Sequence, residues 1–477
     1  MEELLKNYSN TGKMGVSLPR DKTRKPEDLL PEHLLRENNL NIPEVSEPEV
    51  VRHFTKLSSM NHHVDKDFYP LGSCTMKYNP KINDSLAALP GFSEIHPEQP
   101  QESVQGALQL MYELEQFLAE ITGMEAVTLQ PAAGSHGELT GTMIMQKYHQ
   151  KKGNDKKYVL IPDSAHGTNP SSASSVDYDV ISVESDPEGR ISVADLKEKL
   201  DDGVAGMMIT NPNTLGLFEE NIKEINALIH EYDGIVYMDG ANLNALFGIA
   251  KAADMGFDIV HMNLHKTFST PHGGGGPGSG PIGVVDRLKS YLPVPRVEKE
   301  GDKYTLSYDY PDSIGRMLGY YGHFGVIVRA YVYISMLGEE GLQRVTKNAV
   351  LNANYIKKKL SDLYEIPYDG PCMHEFVASA TKQKSNYGVK ALDIAKRMLD
   401  FGMHAPTVYF PLVVKEAMMI EPTETEALRN LNNFIEIMQK IEKEARNDPE
   451  LLKNAPYDTP VRRLDELKAN KELKVRW

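Results

Sequence analysis

Lys266 follows an apolar run (Ile259, Val260) and two histidines, His261 and His265, that bracket Asn263; after it come Thr-Phe-Ser-Thr-Pro-His and four glycines, 273–276. No regular element contains such a turn, so the lysine stands at the lip of a buried strand, beside backbone that lets a ligand come close. A desolvated lysine has a lowered pKa and becomes a nucleophile toward carbonyls. A phosphate-cradling P-loop places its lysine after the glycines, at the start of a helix. Here the lysine precedes them, and that reading fails. Taken alone, Lys266 is explained as well by a surface loop as by a site.

The elements that would position it alternate along the chain. Apolar residues recur at helical spacing from Val104 to Thr122, and Gly123 stands where the helix should stop. Next come a short strand (126–130), the turn Pro131-Ala-Ala-Gly-Ser-His-Gly-Glu138, and a helical run from Leu139 to His149. A strand, a small-residue turn and a helix in that order offer free N–H groups and a positive helix end to an anion. Gly134 permits close approach and Ser135 adds a hydroxyl, although a plain strand-to-helix turn would look the same.

Strands are predicted at 158–162, 179–183, 206–210 and 234–238, with helices at 193–200 and 221–231. Short apolar strands alternating with helices imply a mostly parallel sheet covered on both faces. Ligands collect at the carboxyl ends of such strands. Ser135, His166, Thr210 and Asn211, Asp239 and Lys266 all fall there.

The rest of the chain bounds the function. With 477 residues and a formal net charge of −15, it has no basic balance that would argue for a nucleic-acid partner. It has no apolar run of 18 residues; the nearest, Phe324 to Leu337, is broken by Arg329, so no membrane span is expected. Two cysteines, Cys74 and Cys372, and an N-terminus without a leader pattern point to a cytoplasmic protein. Neither those cysteines nor any histidine pair has metal-ligand spacing, so no metal centre is expected.

Four regions follow: an N-terminal arm with a turn-rich loop at 69–79 (residues 1–92), a large domain (93–325), a smaller C-terminal α+β domain with its bridging helix (326–447), and a charged tail (448–477). A strand edge and hairpin are expected at 284–312. Two further helices, 322–337 and 342–360, should flank the start of the small domain.

An amine, a carboxylate one strand away, an imidazole and a phosphate cradle together meet the needs of pyridoxal 5'-phosphate. Lys266 would bond its aldehyde, Asp239 would pair with its ring nitrogen, and His166 would lie flat on the ring. Singly, Asp239 reads as a turn residue and His166 as a loop histidine; jointly and in this order they read as a site.

At this point the sequence resembles a known family. Ala-Gly-Ser-His-Gly-Glu (133–138), His-Gly-Thr-Asn-Pro (166–170), Thr-Asn-Pro-Asn-Thr (210–214), Asp-Gly-Ala-Asn (239–242) and the Lys266 stretch (263–278) look like the P-protein of the glycine cleavage system. The likeness runs on through 69–79 and 404–410. It implies a fold-type I pyridoxal phosphate enzyme that decarboxylates glycine and passes the aminomethyl group to the lipoyl arm of H-protein. The length is similar to the lysine-bearing second subunit of two-subunit members, which implies a sister subunit and a heterotetramer of two copies of each.

Gly134, Ser135, Asn211, Ala241 and Thr267 are expected to join the three central residues around the cofactor. Decarboxylation favours a carboxylate that is oriented without being strongly neutralised, so His404 and Asn242 are the candidates for the glycine carboxylate. Two rivals remain: another fold-type I decarboxylase or transferase, and a non-catalytic scaffold subunit.

Overall fold

A computed structural model describes residues 2–17, 19, 24–38, 40–273, 276 and 278–473. It divides into two compact units. One is Met1–Lys66 with Tyr457–Trp477, and the other is Asp67–Pro456. The first contains the helix Glu47–Met60, at whose start the Ser46 N–H and hydroxyl both donate to the Glu49 carboxylate (2.8 Å each). Among the described residues no helix is long and apolar enough to cross a membrane.

The Asp67–Pro456 unit is built on a seven-stranded sheet. In chain order its strands are β1 (Ala126–Thr128), β2 (Tyr158–Pro162), β3 (Asp179–Val183), β4 (Val204–Thr210), β5 (Ile235–Gly240), β6 (Ile259–Met262) and β7 (Ile282–Val284). The spatial order is β1-β7-β6-β5-β4-β2-β3, and β7 alone runs against its neighbours. Side chains of a strand alternate between faces. Ile235 and Tyr237 therefore enter one apolar cluster and Val236 and Met238 the other. Both faces are covered, as expected of a mostly parallel sheet.

The helix Gln105–Thr122 ends at Gly123, whose φ of +74° closes it as expected. The helix after β1 spans Gly134–Lys152, one turn earlier than the periodicity predicts. Its first turn holds Gly134, Ser135 and His136, which carry no apolar pattern to announce a helix. The hairpin expected near 284–312 is β8 (Arg296–Glu300) with β9 (Lys303–Ser307). The two helices expected at 322–337 and 342–360 lie end to end within Phe324–Leu360, separated as expected where Gly338 leaves helical geometry with φ +59°.

A second sheet, β10 (Phe376–Ser379), β11 (Thr407–Val408) and β12 (Ala417–Ile420), has the order β10-β12-β11. The helices Ala391–Leu399 and Leu428–Asn447 share an apolar cluster with it. The loop at 69–79 is tied to this sheet: Gly72 N–H donates to Met419 O (3.2 Å), and the Thr75 hydroxyl donates to Glu421 (2.7 Å).

Candidate active site

β6 ends at Met262, and the chain turns at once, with Lys266 N–H donating to Asn263 O (3.1 Å). Leu264 and Phe268 are fully buried on either side of the turn. They anchor it in the core and leave Lys266 half-buried at the rim of a cavity of about 460 Å³. The same cavity is lined by Gly134, Ser135, His166, Asp239, Ala241 and Asn242, so most of the expected residues meet on one wall.

Asp239 lies on β5 directly beside His261 of β6. It accepts hydrogen bonds from Ala241 N–H (3.0 Å) and the Asn169 amide (3.3 Å), and His261 Nε2 is 3.4 Å away. Burial alone would raise its pKa; His261, the Ala241 N–H, Lys266 and Asn169 together hold it below the ordinary carboxylate value.

Glu138, one turn below Gly134 on the same helix, has the opposite fate. Burial, with Asp239 nearby, pushes its pKa up to about 8. Two adjacent buried carboxylates cannot both ionise cheaply, and the one with more donors keeps the charge.

Gly134 and Ser135 open the 19-residue helix with no side chain capping its N-terminus, so its first N–H groups are available to an anion. A Cβ on Gly134 would lie 2.7 Å from the Asn263 amide, and one on Gly280 would lie 2.1 Å from Ala133 O. Glycine at these positions lets the stretch after Lys266 pack against the helix start, where Gly280 N–H donates to Pro131 O (2.9 Å). Gly274, Gly275 and Pro277 of the glycine-rich run lie outside the described residues.

Three expected residues turn away from the cavity. The Asn211 carboxamide is buried against its own loop, accepting from Glu219 N–H (3.0 Å). The Thr267 hydroxyl is fully buried and accepts from Leu243 N–H (2.8 Å). His404 stacks on Tyr69 with ring centroids 4.0 Å apart. Asn242 does line the wall, but its amide is already given to Thr75 (2.5 Å) and Glu421 (2.8 Å).

Other lining residues had no assigned role in the sequence: Glu138, Thr168, His374 and Glu375, with Ser73 and Cys74 from the 69–79 loop. A signal existed for Glu138, which stands four residues after Gly134 and so on the same helix face. No metal centre was expected, yet the fold assembles two buried groups with metal-ligating atoms within 4.8 Å of one another: Glu138, Asp239 and His261, and His374, Glu375 and Glu421.

These residues fit pyridoxal phosphate. The amine, the buried carboxylate held ionised and the open helix N-terminus match its aldehyde, ring nitrogen and phosphate. Together with the parallel sheet they define a pyridoxal phosphate enzyme of fold type I.

Comparison with known proteins narrows the class. The family described as "Glycine cleavage system P-protein" matches residues 22–302, and "Glycine dehydrogenase, C-terminal domain" matches 345–457. The chain is 60% identical over 452 residues to the "Probable glycine dehydrogenase (decarboxylating) subunit 2" of Prosthecochloris aestuarii, covering 94% of this chain and 93% of the relative. It is 58% identical to the protein of the same description from Caldanaerobacter subterraneus subsp. tengcongensis, covering 99% and 98%. The chain belongs to the P-protein family of the glycine cleavage system. Among solved structures it shares the fold of an inhibitor-bound glycine decarboxylase (P-protein), with a TM-score of 0.74 and 19% identity over 87% of this chain and 95% of that one.

Proposed function

We propose that this chain is the lysine-bearing subunit of a cytoplasmic glycine dehydrogenase (decarboxylating). It removes the carboxylate of glycine as carbon dioxide and passes the aminomethyl group to the lipoyl arm of H-protein. Its relatives are described as subunit 2, so it works with a sister subunit, in a heterotetramer of two copies of each. The observation that carries this reading is the convergence of Lys266, Asp239 and His166 on one cavity beside an uncapped helix start.

Pyridoxal phosphate, when bound, supplies the electron sink that lets the bond to the carboxylate break. Lys266 presents the amine that anchors it. Asp239 keeps the ring nitrogen protonated by remaining ionised in a buried place. The helix start at Gly134 and Ser135 would take the phosphate, the Ala241 N–H orients Asp239, and His166, on the same cavity, would cover the ring.

Among the described residues the wall offers glycine the imidazoles of His265, His272 and His374 and no guanidinium. Burial, with Lys266 nearby, pushes the His265 pKa down to about 3, so that imidazole is neutral at physiological pH. Neutral donors orient a carboxylate without stabilising it as an ion pair would, which leaves its departure favourable. Ser73 and Cys74 place the 69–79 loop on the cavity wall, where a long lipoyl arm has to enter. Within the Asp67–Pro456 unit we read the large domain as 93–325 and the small one as 326–447.

Exchange of labelled carbon dioxide into glycine tests this reading. Exchange is expected when lipoylated H-protein and the sister subunit are both present. No exchange in the complete mixture would refute the activity, and full exchange from this chain alone would refute the two-subunit arrangement.

A further inference from the structure

Glu138, Thr168 and His166 form a hydrogen-bonded row that ends at the cavity. The Thr168 hydroxyl lies 2.8 Å from Glu138 Oε1 and 2.8 Å from His166 Nδ1. The Thr168 backbone N–H also points at the same Nδ1, at 3.3 Å, and Ser172 donates to the other oxygen of Glu138 at 3.3 Å. Two proton arrangements can be written for this row. With Glu138 ionised, Thr168 donates to it, and Nδ1 must carry a proton to donate to the hydroxyl. That proton would then face the Thr168 N–H, donor against donor. With Glu138 protonated, the acid donates to Thr168, the hydroxyl donates to Nδ1, and the backbone N–H meets a lone pair. Only the second arrangement satisfies every contact.

The surroundings favour it as well. Glu138 is 4% exposed, and its carboxyl lies within 4.8 Å of that of Asp239. The charged and titratable groups around it are Asp239 and Tyr237 on β5, His261 on β6, and Lys266. Asp239 collects the Ala241 and Asn169 donors and the nearby imidazole, whereas Glu138 has two hydroxyls, one of which can equally accept. Of the two carboxyls, Glu138 holds the proton.

We propose that Glu138 is a positioning residue, kept as the carboxylic acid, that acts through Thr168 to hold His166 with its ring proton on Nε2. The value of this for a ring lying beneath His166 rests on the site reading above. The tautomer itself does not, so it is measured on the full chain without cofactor.

Long-range proton–nitrogen NMR of ring-labelled histidines, with the His166 signal assigned by its loss in His166→Asn, reads the tautomer directly. His166 is expected as the Nε2–H form at neutral pH in the wild type. It should remain so in Glu138→Gln, whose amide still donates, whereas in Glu138→Leu the Thr168 hydroxyl is free to accept from Nδ1 and an Nδ1–H fraction should appear. An Nδ1–H form in the wild type, or the same tautomer in Glu138→Leu as in the wild type, would overturn the proposal.

Thermal unfolding against pH reads the proton on Glu138. The unfolded side chain titrates near 4.5 and the folded one near 8, so the wild type should lose stability relative to Glu138→Gln as pH rises through that window. Parallel curves would show that Glu138 is ionised in the fold, which contradicts the proposal.

Discussion

Asp239 and His261 are register partners on adjacent parallel strands, and the imidazole Nε2 stands 3.4 Å from the carboxylate Oδ1. On its other side the imidazole is fixed by the Tyr237 hydroxyl, 2.6 Å from Nδ1. The negative charge of Asp239 is thus supported by buried groups.

Asp239→Asn keeps the shape and removes that charge. Glycine–carbon dioxide exchange is expected to fall by at least about 100-fold, the scale of losing one preorganised electrostatic group. The melting temperature should stay close to that of the wild type. Exchange within a few fold of wild type would show that the carboxylate is not the ring's partner.

Lys77 holds the 69–79 loop in place from inside. Its ammonium, almost wholly buried, donates to Glu424 (2.9 Å), Asn244 (3.2 Å) and the Tyr333 hydroxyl (3.2 Å). Lys77→Met strands the Glu424 carboxylate and should cost about 3 to 5 kcal/mol in denaturant unfolding. Removing both charges with Lys77→Met and Glu424→Leu should cost much less, because no buried charge is then left alone.

His149 gives the fold an acid limit. Its Nε2–H is spent on Ala205 O (2.8 Å) and its Nδ1 faces the Asn154 amide (3.2 Å), which satisfies the neutral ring. Burial lowers its pKa to about 4. The unfolded imidazole protonates near the usual value of about 6.5, so the unfolded state takes up the proton first. Stability from this residue is complete above that value and is lost as pH falls toward about 4. His149→Gln should flatten the stability curve in that window, by up to about 3 kcal/mol.

Gly280→Ala would place a methyl 2.1 Å from Ala133 O, and the stretch after Lys266 would have to leave the helix start. Overpacking of this kind costs about 1 to 3 kcal/mol. Pyridoxal phosphate affinity, measured by titration of its absorbance, should drop about tenfold or more if the phosphate sits where Gly134 and Ser135 place it.

The sheet was legible because its strands are short apolar runs that need no partner to be recognised. The meeting of Lys266, Asp239 and His166 at one cavity was legible because each follows such a run. Asn211 and Thr267 follow strands too, and nothing local distinguishes a side chain that faces a ligand from one that satisfies a nearby backbone N–H, as theirs do with Glu219 in the same loop and Leu243 in the loop after β5. The wall formed by Ser73 and Glu375 was out of reach for another reason. Their 2.7 Å hydrogen bond joins residues 302 positions apart, a contact only the folded chain creates. Glu138 was visible in its motif, but its neutral state depends on how close Asp239 comes from another strand.

Covalent trapping tests the central claim most directly. The purified chain is loaded with pyridoxal phosphate, reduced with borohydride and digested, and the modified lysine is located by mass. The pyridoxyl group is expected on Lys266, and Lys266→Ala should carry none while unfolding as the wild type does. Modification of a different lysine, or a bound cofactor that borohydride leaves unchanged, would contradict the assignment of this cavity.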